Sequence, residues 1–155
     1  PYAISTSLLW NLMRQAGWYS AHFMVQRECF KRLTSPPGGK EYGAIGVVMA
    51  LGCEIEKVLA VPGSAFWPRP SVESVFFSLR PRPEGLPDLE LMSFLQLAFS
   101  HRRKSLGNIL RSMSPRSEHE VIERVLAGMS PKVRAEELSP GELRDLAHGL
   151  AGLLR

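Results

Sequence analysis

Residues 62–74 read Pro-Gly-Ser-Ala-Phe-Trp-Pro-Arg-Pro-Ser-Val-Glu-Ser, and they interrupt the regular pattern of the chain. Proline fixes φ and disfavours helical geometry in the residue before it, so the segment predicts a stiff loop rather than a helix or a central strand. The loop carries two adjacent aromatic residues, Phe66 and Trp67. Stiffly held rings suit stacking on a flat ligand; the alternative is that both rings plug the end of a core.

The sequence on both sides of this loop is typical of an α/β sheet. Residues 54–61 and 74–80 are rich in apolar side chains, and two strands joined by a long proline-rich loop predict an antiparallel edge pair. The glycine-broken apolar residues 42–53 favour a helix packed on that sheet. A buried strand over residues 18–26 and a short basic helix over residues 27–33 are expected before it.

The chain opens with a predicted helix that starts near Ser5 and ends at Gly17, a residue that tolerates left-handed geometry. Its apolar face is expected to contain Leu8, Leu9, Leu12 and Met13. The sequence leaves no room for a strand before this helix. The order of elements therefore predicts the second half of an α/β sheet, and the chain is expected to begin in mid-domain.

Residues 80–87 contain three prolines and have the composition of a linker, after which the pattern becomes helical only. We expect a domain boundary near residue 84, with an α/β part over residues 1–84 and a small all-helical domain over residues 85–155. One helix is predicted from an N-cap at Asp88 through Leu110. Capping boxes at Ser117 and Ser139 predict helices over residues 118–129 and 140–154.

The totals describe a modestly basic globular chain. It has 155 residues, a formal net charge of +4 and two cysteines, Cys29 and Cys53, that are not spaced as a metal or redox motif. Small buried cysteines in a reducing, cytoplasmic setting are the expectation. No apolar run is long enough for a membrane span, and the first residues do not resemble a signal peptide.

Positive charge is concentrated in residues 100–116, which hold five basic residues and no acidic residue, a local balance of +5. Such a run can be an ordinary solvated surface. However, Arg102, Arg103 and Lys104 follow an apolar helix and are of the types that contact phosphate, so nucleic acid is the leading partner.

The sequence offers little support for a hydrolase or a metalloenzyme. The four histidines are scattered, and His119 and His148 are predicted on exposed helix faces. We find no Ser-His-Asp grouping, no metal-ligand spacing and no glycine-rich phosphate loop. No metal is therefore expected.

A series of short motifs carries a more specific signal. In chain order they are Pro1-Tyr2 with Ile4-Ser5-Thr6; residues 24–28 with Arg32-Leu33; Pro37-Gly38 and Lys40 with Tyr42-Gly43; Pro62-Gly63, Phe66, Pro68, Pro70, Val72 and Ser74; residues 99–104; and residues 134–140. This series resembles the KsgA-type 16S rRNA adenine N6,N6-dimethyltransferases, relatives of the Erm resistance methyltransferases. The resemblance covers essentially the whole chain.

The resemblance implies an S-adenosylmethionine-dependent enzyme with a Rossmann-like methyltransferase sheet and a helical domain that grips rRNA. In that family the adenine site opens with Asn-Leu-Pro-Tyr, of which only Pro1 and Tyr2 are present here. The family's cofactor-binding glycine-rich loop and acidic residues lie further upstream. The resemblance therefore places no cofactor-binding residue in this chain.

The resemblance also implies roles for individual residues. Pro1, Tyr2 and Phe66 are the expected catalytic-site residues, with Tyr2 and Phe66 stacking on opposite faces of a flipped adenine. The family pattern does not fix Trp67, which is expected to be a packing residue. Arg102, Arg103 and Lys104 are expected to contact the rRNA backbone, and a weaker second patch comprises Arg27, Lys31, Arg32 and Lys40.

Two functions follow as hypotheses. The first is the C-terminal part of a cytoplasmic enzyme that dimethylates two adjacent adenines in the 3′-terminal hairpin of small-subunit rRNA within a 30S precursor. On this hypothesis the chain alone is inactive. The second is a non-catalytic RNA-binding or ribosome-assembly module. Neither hypothesis involves a membrane or a metal.

Overall fold

A computed structural model describes residues 4–15, 17–82 and 86–151 of the chain. Its regular elements are α1 (Ser5–Leu12), β1 (Ala21–Gln26), α2 (Arg27–Thr34), α3 (Ala44–Gly52), β2 (Cys53–Val61), β3 (Ser74–Pro81), α4 (Leu89–Ala98), α5 (Leu106–Met113), α6 (His119–Val125) and α7 (Pro140–Gly149). Short 3-10 turns occupy Gly63–Ala65, Arg116–Glu118 and Ala135–Glu137.

The three strands form one antiparallel sheet in the order β1-β3-β2. Ser74 of β3 pairs with Gln26 of β1 on one side and with Val61 of β2 on the other, so the loop of residues 62–73 leaves from that end of the sheet. The predicted antiparallel pair is confirmed. The buried strand over residues 18–26 is wrong in extent, because β1 begins at Ala21 and has one buried residue, Val25.

The helices cover the face of the sheet that carries the buried side chains of Phe77 and Leu79. The glycine-broken apolar stretch is helical as predicted, and its glycines permit close packing. A Cβ on Gly46 would lie 2.7 Å from the backbone oxygen of Arg32, so α3 can approach α2 this closely only with glycine at that position. In α1, Leu9 and Met13 are fully buried, whereas Leu8 is 49% exposed and does not belong to the predicted apolar face.

The single helix predicted from Asp88 to Leu110 is wrong, because the structure divides it into α4 and α5. The Asp88 cap is confirmed, since its side chain accepts a hydrogen bond from the Leu91 amide at 2.7 Å. At the break, the Ser100 hydroxyl donates to the Leu97 carbonyl oxygen at 2.7 Å, and the chain turns before α5. The Leu106 amide then donates to the Val133 carbonyl oxygen, a distant partner that fixes the new direction.

The two predicted capping boxes have different outcomes. At Ser139 the box is confirmed: the hydroxyl accepts from the Glu142 amide at 3.2 Å, and the Glu142 carboxylate accepts from the Ser139 amide at 2.8 Å. The Ser139 hydroxyl also donates to the Glu142 carboxylate at 2.6 Å, and this bond, together with the one from the Ser139 amide, lowers the pKa of Glu142. At Ser117 the box is wrong, because a 3-10 turn occupies Arg116–Glu118 and α6 begins at His119 without a side-chain cap. Helix α6 also ends at Val125, earlier than predicted.

Tyr42 connects the sheet part of the chain to the helical part. Its ring is buried against Phe99, with ring centroids 5.8 Å apart, and its hydroxyl donates to the Leu138 carbonyl oxygen at 2.9 Å. Burial, together with the charge of Glu142, raises the pKa of Tyr42 to about 12, so the hydroxyl remains a donor at neutral pH. One hydrophobic core thus extends across the linker; residues 83–85 lie outside the described residues, and the domain boundary stays a prediction.

Replacing Tyr42→Phe is expected to lower the free energy of unfolding by about 1–2 kcal/mol, because it leaves a buried carbonyl without this donor. Tyr19→Phe is the matched control, since Tyr19 is 90% exposed and should tolerate the change. Urea unfolding followed by circular dichroism measures both. Equal stabilities for the two variants would contradict a structural role for the Tyr42 hydroxyl.

Candidate RNA interface

The proline-rich loop of residues 62–73 is closed on itself at its base. The amides of Ala65 and Phe66 donate to the carbonyl oxygens of Pro62 and Gly63 at 3.0 and 3.2 Å. A Cβ on Gly63 would lie 2.8 Å from the Pro70 carbonyl oxygen, so the two arms of the loop nearly touch. These contacts agree with the stiffness predicted from the prolines.

The two aromatic residues of the loop have different environments. Phe66 is half-buried but does not pack against the main core of the described residues, and Trp67 is 97% exposed. The alternative that both rings plug a core is therefore wrong, as is the expectation that Trp67 is a packing residue. Both residues lie in a bend after the 3-10 turn, in which the Phe66 ring is partly covered and the Trp67 ring is in solvent.

Pro1 and Tyr2, the other two predicted catalytic-site residues, lie outside the described residues. The proposed stacking of Phe66 opposite Tyr2 therefore stays a prediction. The described helix nearest to them in the sequence is α1, and Thr6 near its start lies close to the half-buried thiol of Cys29 in α2. The start of α1 therefore lies beside the helix that carries Arg27, Lys31 and Arg32.

A groove of about 310 Å³ begins at the base of the loop. Arg27 and Lys31 from α2 and Lys57 from β2 line it, with Glu73 between them. The Arg27 guanidinium donates to the Glu73 carboxylate at 2.8 Å, which neutralises one cation. Lys31 and Lys57 form no ion pair within the described part of the chain, so they are available to an anionic ligand.

Arg102 connects the two basic patches that the sequence predicts. Its guanidinium contacts the Glu136 carboxylate through Nε at 2.9 Å and Nη2 at 2.8 Å, and its Nη1 donates to the Lys40 carbonyl oxygen at 2.8 Å. The Gly38 amide donates to the Glu136 carbonyl oxygen at 2.7 Å. Lys40, assigned to the second patch, is thereby held beside Arg102 of the first.

The remaining cations of residues 100–116 do not form one uniform surface. Arg111 is paired with Glu123 and with the Asn108 side chain, so acidic residues from elsewhere in the chain offset part of the local charge. Arg103 and Lys104 are exposed and make no hydrogen bond or ion pair through their side chains with the described residues. In α2, the exposed Arg32 forms an ion pair with Glu41, with 3.4 Å between Nε and the carboxylate oxygen.

The other titratable side chains near these elements, Cys53, His119 and His148, are in the core, half-buried or on the surface. Burial raises the pKa of the Cys53 thiol to about 11, and this thiol donates to the Met13 sulfur at 3.4 Å, in agreement with a core cysteine. His148 is exposed as predicted, whereas His119 is half-buried with Nε2 3.2 Å from the Arg111 carbonyl oxygen. Within residues 4–15, 17–82 and 86–151, no cluster of three or more His, Cys, Asp or Glu residues could hold a metal ion.

No helix in the described ranges has the length and apolar character needed to cross a bilayer.

A model of the family described as ribosomal RNA adenine dimethylase matches residues 1–151. The chain belongs to this family. Its curated relatives include the ribosomal RNA small subunit methyltransferase A of Nitrosococcus oceani, which is 39% identical over 144 residues that cover 90% of this chain and 53% of that protein. The protein of the same name from Deinococcus radiodurans is 39% identical over 160 residues, covering 100% of this chain and 53% of the relative. The chain thus spans about half the length of these relatives.

Two solved structures share the fold. A dimethyladenosine transferase from Plasmodium falciparum has a TM-score of 0.82 at 23% identity, covering 97% of this chain and 65% of that chain. The 23S rRNA methyltransferase ErmE has a TM-score of 0.60 at 23% identity, covering 97% and 62%. Like other members of the ribosomal RNA adenine dimethylase family, this chain therefore has an α/β fold with part of a Rossmann-like methyltransferase sheet followed by helices.

Three polar residues of this surface were not predicted from the sequence. Lys57 follows Glu56 in a strand, Arg69 lies between two prolines, and Glu136 lies 34 residues from its partner Arg102. Alternation along β2 from the buried Cys53 would turn Lys57 inward, and its exposure accompanies the register shift between Lys57 and Leu59. The Arg102–Glu136 pairing depends on tertiary structure, and no local pattern indicates it.

Arg102 and Arg103 are expected to respond differently to substitution. Arg102→Ala should lower the free energy of unfolding by about 0.5–1 kcal/mol, since it removes a partly exposed ion pair and a bond to the backbone. Arg103→Ala should leave stability unchanged. It should reduce the slope of log binding constant against log salt concentration by about 0.7–0.9, the value for one phosphate contact. Urea unfolding measures the stabilities, and fluorescence anisotropy of labelled RNA at several salt concentrations measures the slope. An unchanged slope for Arg103→Ala would indicate an ordinary solvated surface.

Proposed function

We propose that the chain is the RNA-gripping part of an S-adenosylmethionine-dependent enzyme that dimethylates two adjacent adenines in the 3′-terminal hairpin of small-subunit rRNA. The observation that carries this proposal is the match of residues 1–151 to the ribosomal RNA adenine dimethylase family. The geometry adds support, because a stiff loop holds Phe66 away from the main core, and a groove with unpaired lysines begins at the base of that loop. The partner is a 30S precursor in the cytoplasm.

The chemistry explains why an aromatic clamp is useful. The adenine amino nitrogen is a poor nucleophile, because its lone pair is delocalised into the ring, and the base must leave its helix to reach a methyl donor. Tyr2 and Phe66 would stack on the two faces of the extruded base, and each such contact contributes roughly 1–3 kcal/mol. Stacking fixes the orientation of the amino group, and alignment of the reacting atoms supplies much of the rate.

When bound, S-adenosylmethionine supplies an electrophilic methyl group. The family motifs that hold it, a glycine-rich loop and acidic residues, do not occur in this sequence, so we assign it no residue of this chain. In the family motif, an asparagine side chain and the carbonyl oxygen of the following residue accept the amino protons. These two residues do not occur before Pro1 in this sequence. The residues present here bind and orient the rRNA.

The basic residues have two roles in this proposal. Arg103, Lys104, Lys31 and Lys40 have side chains without an ion pair in the described structure and would contact phosphates directly. Arg102 uses three of its five N–H groups on Glu136 and Lys40, which leaves two for a phosphate. Arg27 and Arg32 are each paired to one carboxylate, which offsets their charge, so they would contribute less to phosphate binding.

A second candidate is a non-catalytic RNA-binding or ribosome-assembly module. The unpaired basic side chains of the described residues and the exposed ring of Trp67 favour it, because they can bind RNA without a methyl donor. Both candidates predict RNA binding by the chain. They differ in whether methyl transfer returns when the missing part is supplied.

Methyl transfer to under-methylated small ribosomal subunits separates the candidates. With labelled S-adenosylmethionine, the chain alone should transfer no label, because its cofactor motifs are missing. Joined to the part of the Deinococcus radiodurans relative that it does not span, it should transfer label. Label transfer by the chain alone would contradict the assignment of the cofactor site to other residues, and an inactive but folded fusion would favour the binding module.

In the active fusion, Phe66→Ala should lower kcat/KM roughly 5- to 150-fold, the equivalent of about 1–3 kcal/mol of stacking. Phe66→Tyr keeps an aromatic face and is the matched control, which should retain most activity. Radiolabel incorporation under subsaturating subunits measures both variants. Equal activity of the alanine and tyrosine variants would contradict the stacking role.

A further inference from the structure

Trp67 is a large aromatic side chain that is 97% exposed. Single exposed apolar residues are common on protein surfaces, so exposure alone assigns no function. Three further properties set Trp67 apart: the rigidity of its loop, the contrast with the half-buried ring of Phe66 and the positive charge nearby.

The loop holds Trp67 in a fixed place before any ligand arrives. Trp67 lies between the closed base at Gly63 and the prolines at positions 68 and 70. Prolines and the hydrogen bonds of the 3-10 turn restrict the backbone in the free state. Binding through a preorganised loop therefore loses little conformational entropy.

The surroundings of the side chain separate Trp67 from the proposed adenine site. Phe66 is half-buried, whereas the neighbouring Trp67 is 97% exposed. A base stacked on Phe66 therefore leaves most of the Trp67 surface open. Trp67 is available to a second, neighbouring nucleotide.

The charge beside the loop fits a polynucleotide. Arg69 is two residues after Trp67, and the groove at the base of the loop is lined by Lys31 and Lys57. None of these three cations has an ion pair within the described residues. Among the described residues that line this groove, the only acidic side chain is Glu73, which is already bound to Arg27. An exposed aromatic ring beside a basic groove is the arrangement that binds single-stranded nucleic acid.

We propose that Trp67 is a second stacking platform, which binds an unpaired rRNA base next to the adenine held against Phe66. Arg69 would contact the phosphate of that nucleotide, and Lys57, which precedes the loop in β2, would contact a phosphate further along the RNA strand. This inference rests on the proposed function, since it takes RNA as the ligand, and it extends that function by a residue that sets how the neighbouring base is held. A protein partner at Trp67 is the competing outcome.

Anisotropy of a fluorescein-labelled single-stranded oligoadenylate, titrated with the 155-residue chain, tests the inference. Trp67→Ala should weaken binding roughly 5- to 150-fold. Trp67→Phe, which keeps a π face, should stay within about threefold of the wild type, whereas Trp67→Leu, which is apolar but has no π face, should resemble the alanine variant. Circular dichroism should show that all variants fold, because Trp67 makes no core contact.

Tyr19→Ala is the matched control. Tyr19 is 90% exposed but precedes β1 at the end of the sheet opposite the loop, and its loss should not change RNA binding. Equal affinities of the wild type and Trp67→Ala would overturn the inference and leave the proposed function standing. No RNA binding by the wild type would overturn both. Equal affinities of the phenylalanine and leucine variants would overturn stacking as the mode of contact.

Discussion

The Arg102–Glu136 ion pair is the interaction on which the arrangement of the basic surface depends. Three hydrogen bonds lie close to it in the chain. They join Gly38 to Glu136, Arg102 to Lys40 and Tyr42 to Leu138. Each bond contributes only about 1 kcal/mol, and the exposed ones less. Together they fix residues 38–42 against the helical part of the chain, so cations distant in sequence share one surface.

This arrangement separates cations that build the surface from cations that can bind. Arg102 and Arg27 face carboxylates and hold the backbone in place. Arg103, Lys31 and Lys57 have no such partner among the described residues. A polyanion would therefore meet a prearranged set of unpaired charges, which reduces the ordering needed on binding. Helix α2 is attached to the end of the aromatic loop, because its first residue, Arg27, contacts Glu73 through both its amide and its guanidinium.

Local sequence rules predicted most of the fold. The proline pattern of residues 62–74, the strands on either side and the Ser139 capping box all specify their structure through nearby residues, and the structure agrees. The break between α4 and α5 was not predictable in this way, because the Leu106 amide is satisfied by Val133, far along the chain. Ser117 failed as a cap because a 3-10 turn uses the same residues.

The candidate site was less predictable than the fold. The resemblance to the family predicted Phe66 and the basic residues 102–104 as site residues. The pairing of Arg102 with Glu136 could not be predicted, because it depends on tertiary contacts. Trp67 was expected to be a packing residue because the family pattern does not fix that position, and that expectation failed because its ring is 97% exposed. Exposure of this kind depends on tertiary structure, which composition does not give.

The central claim is that the aromatic loop and the cations around Arg102 form one RNA-binding surface. Hydrogen–deuterium exchange of the chain, with and without the 3′-terminal hairpin of small-subunit rRNA, tests it most directly. We predict slower exchange in the presence of RNA in residues 62–73, 38–41 and 102–105 together, with helix α7 unchanged. Protection confined to one of these segments, or centred on α7, would contradict a single surface.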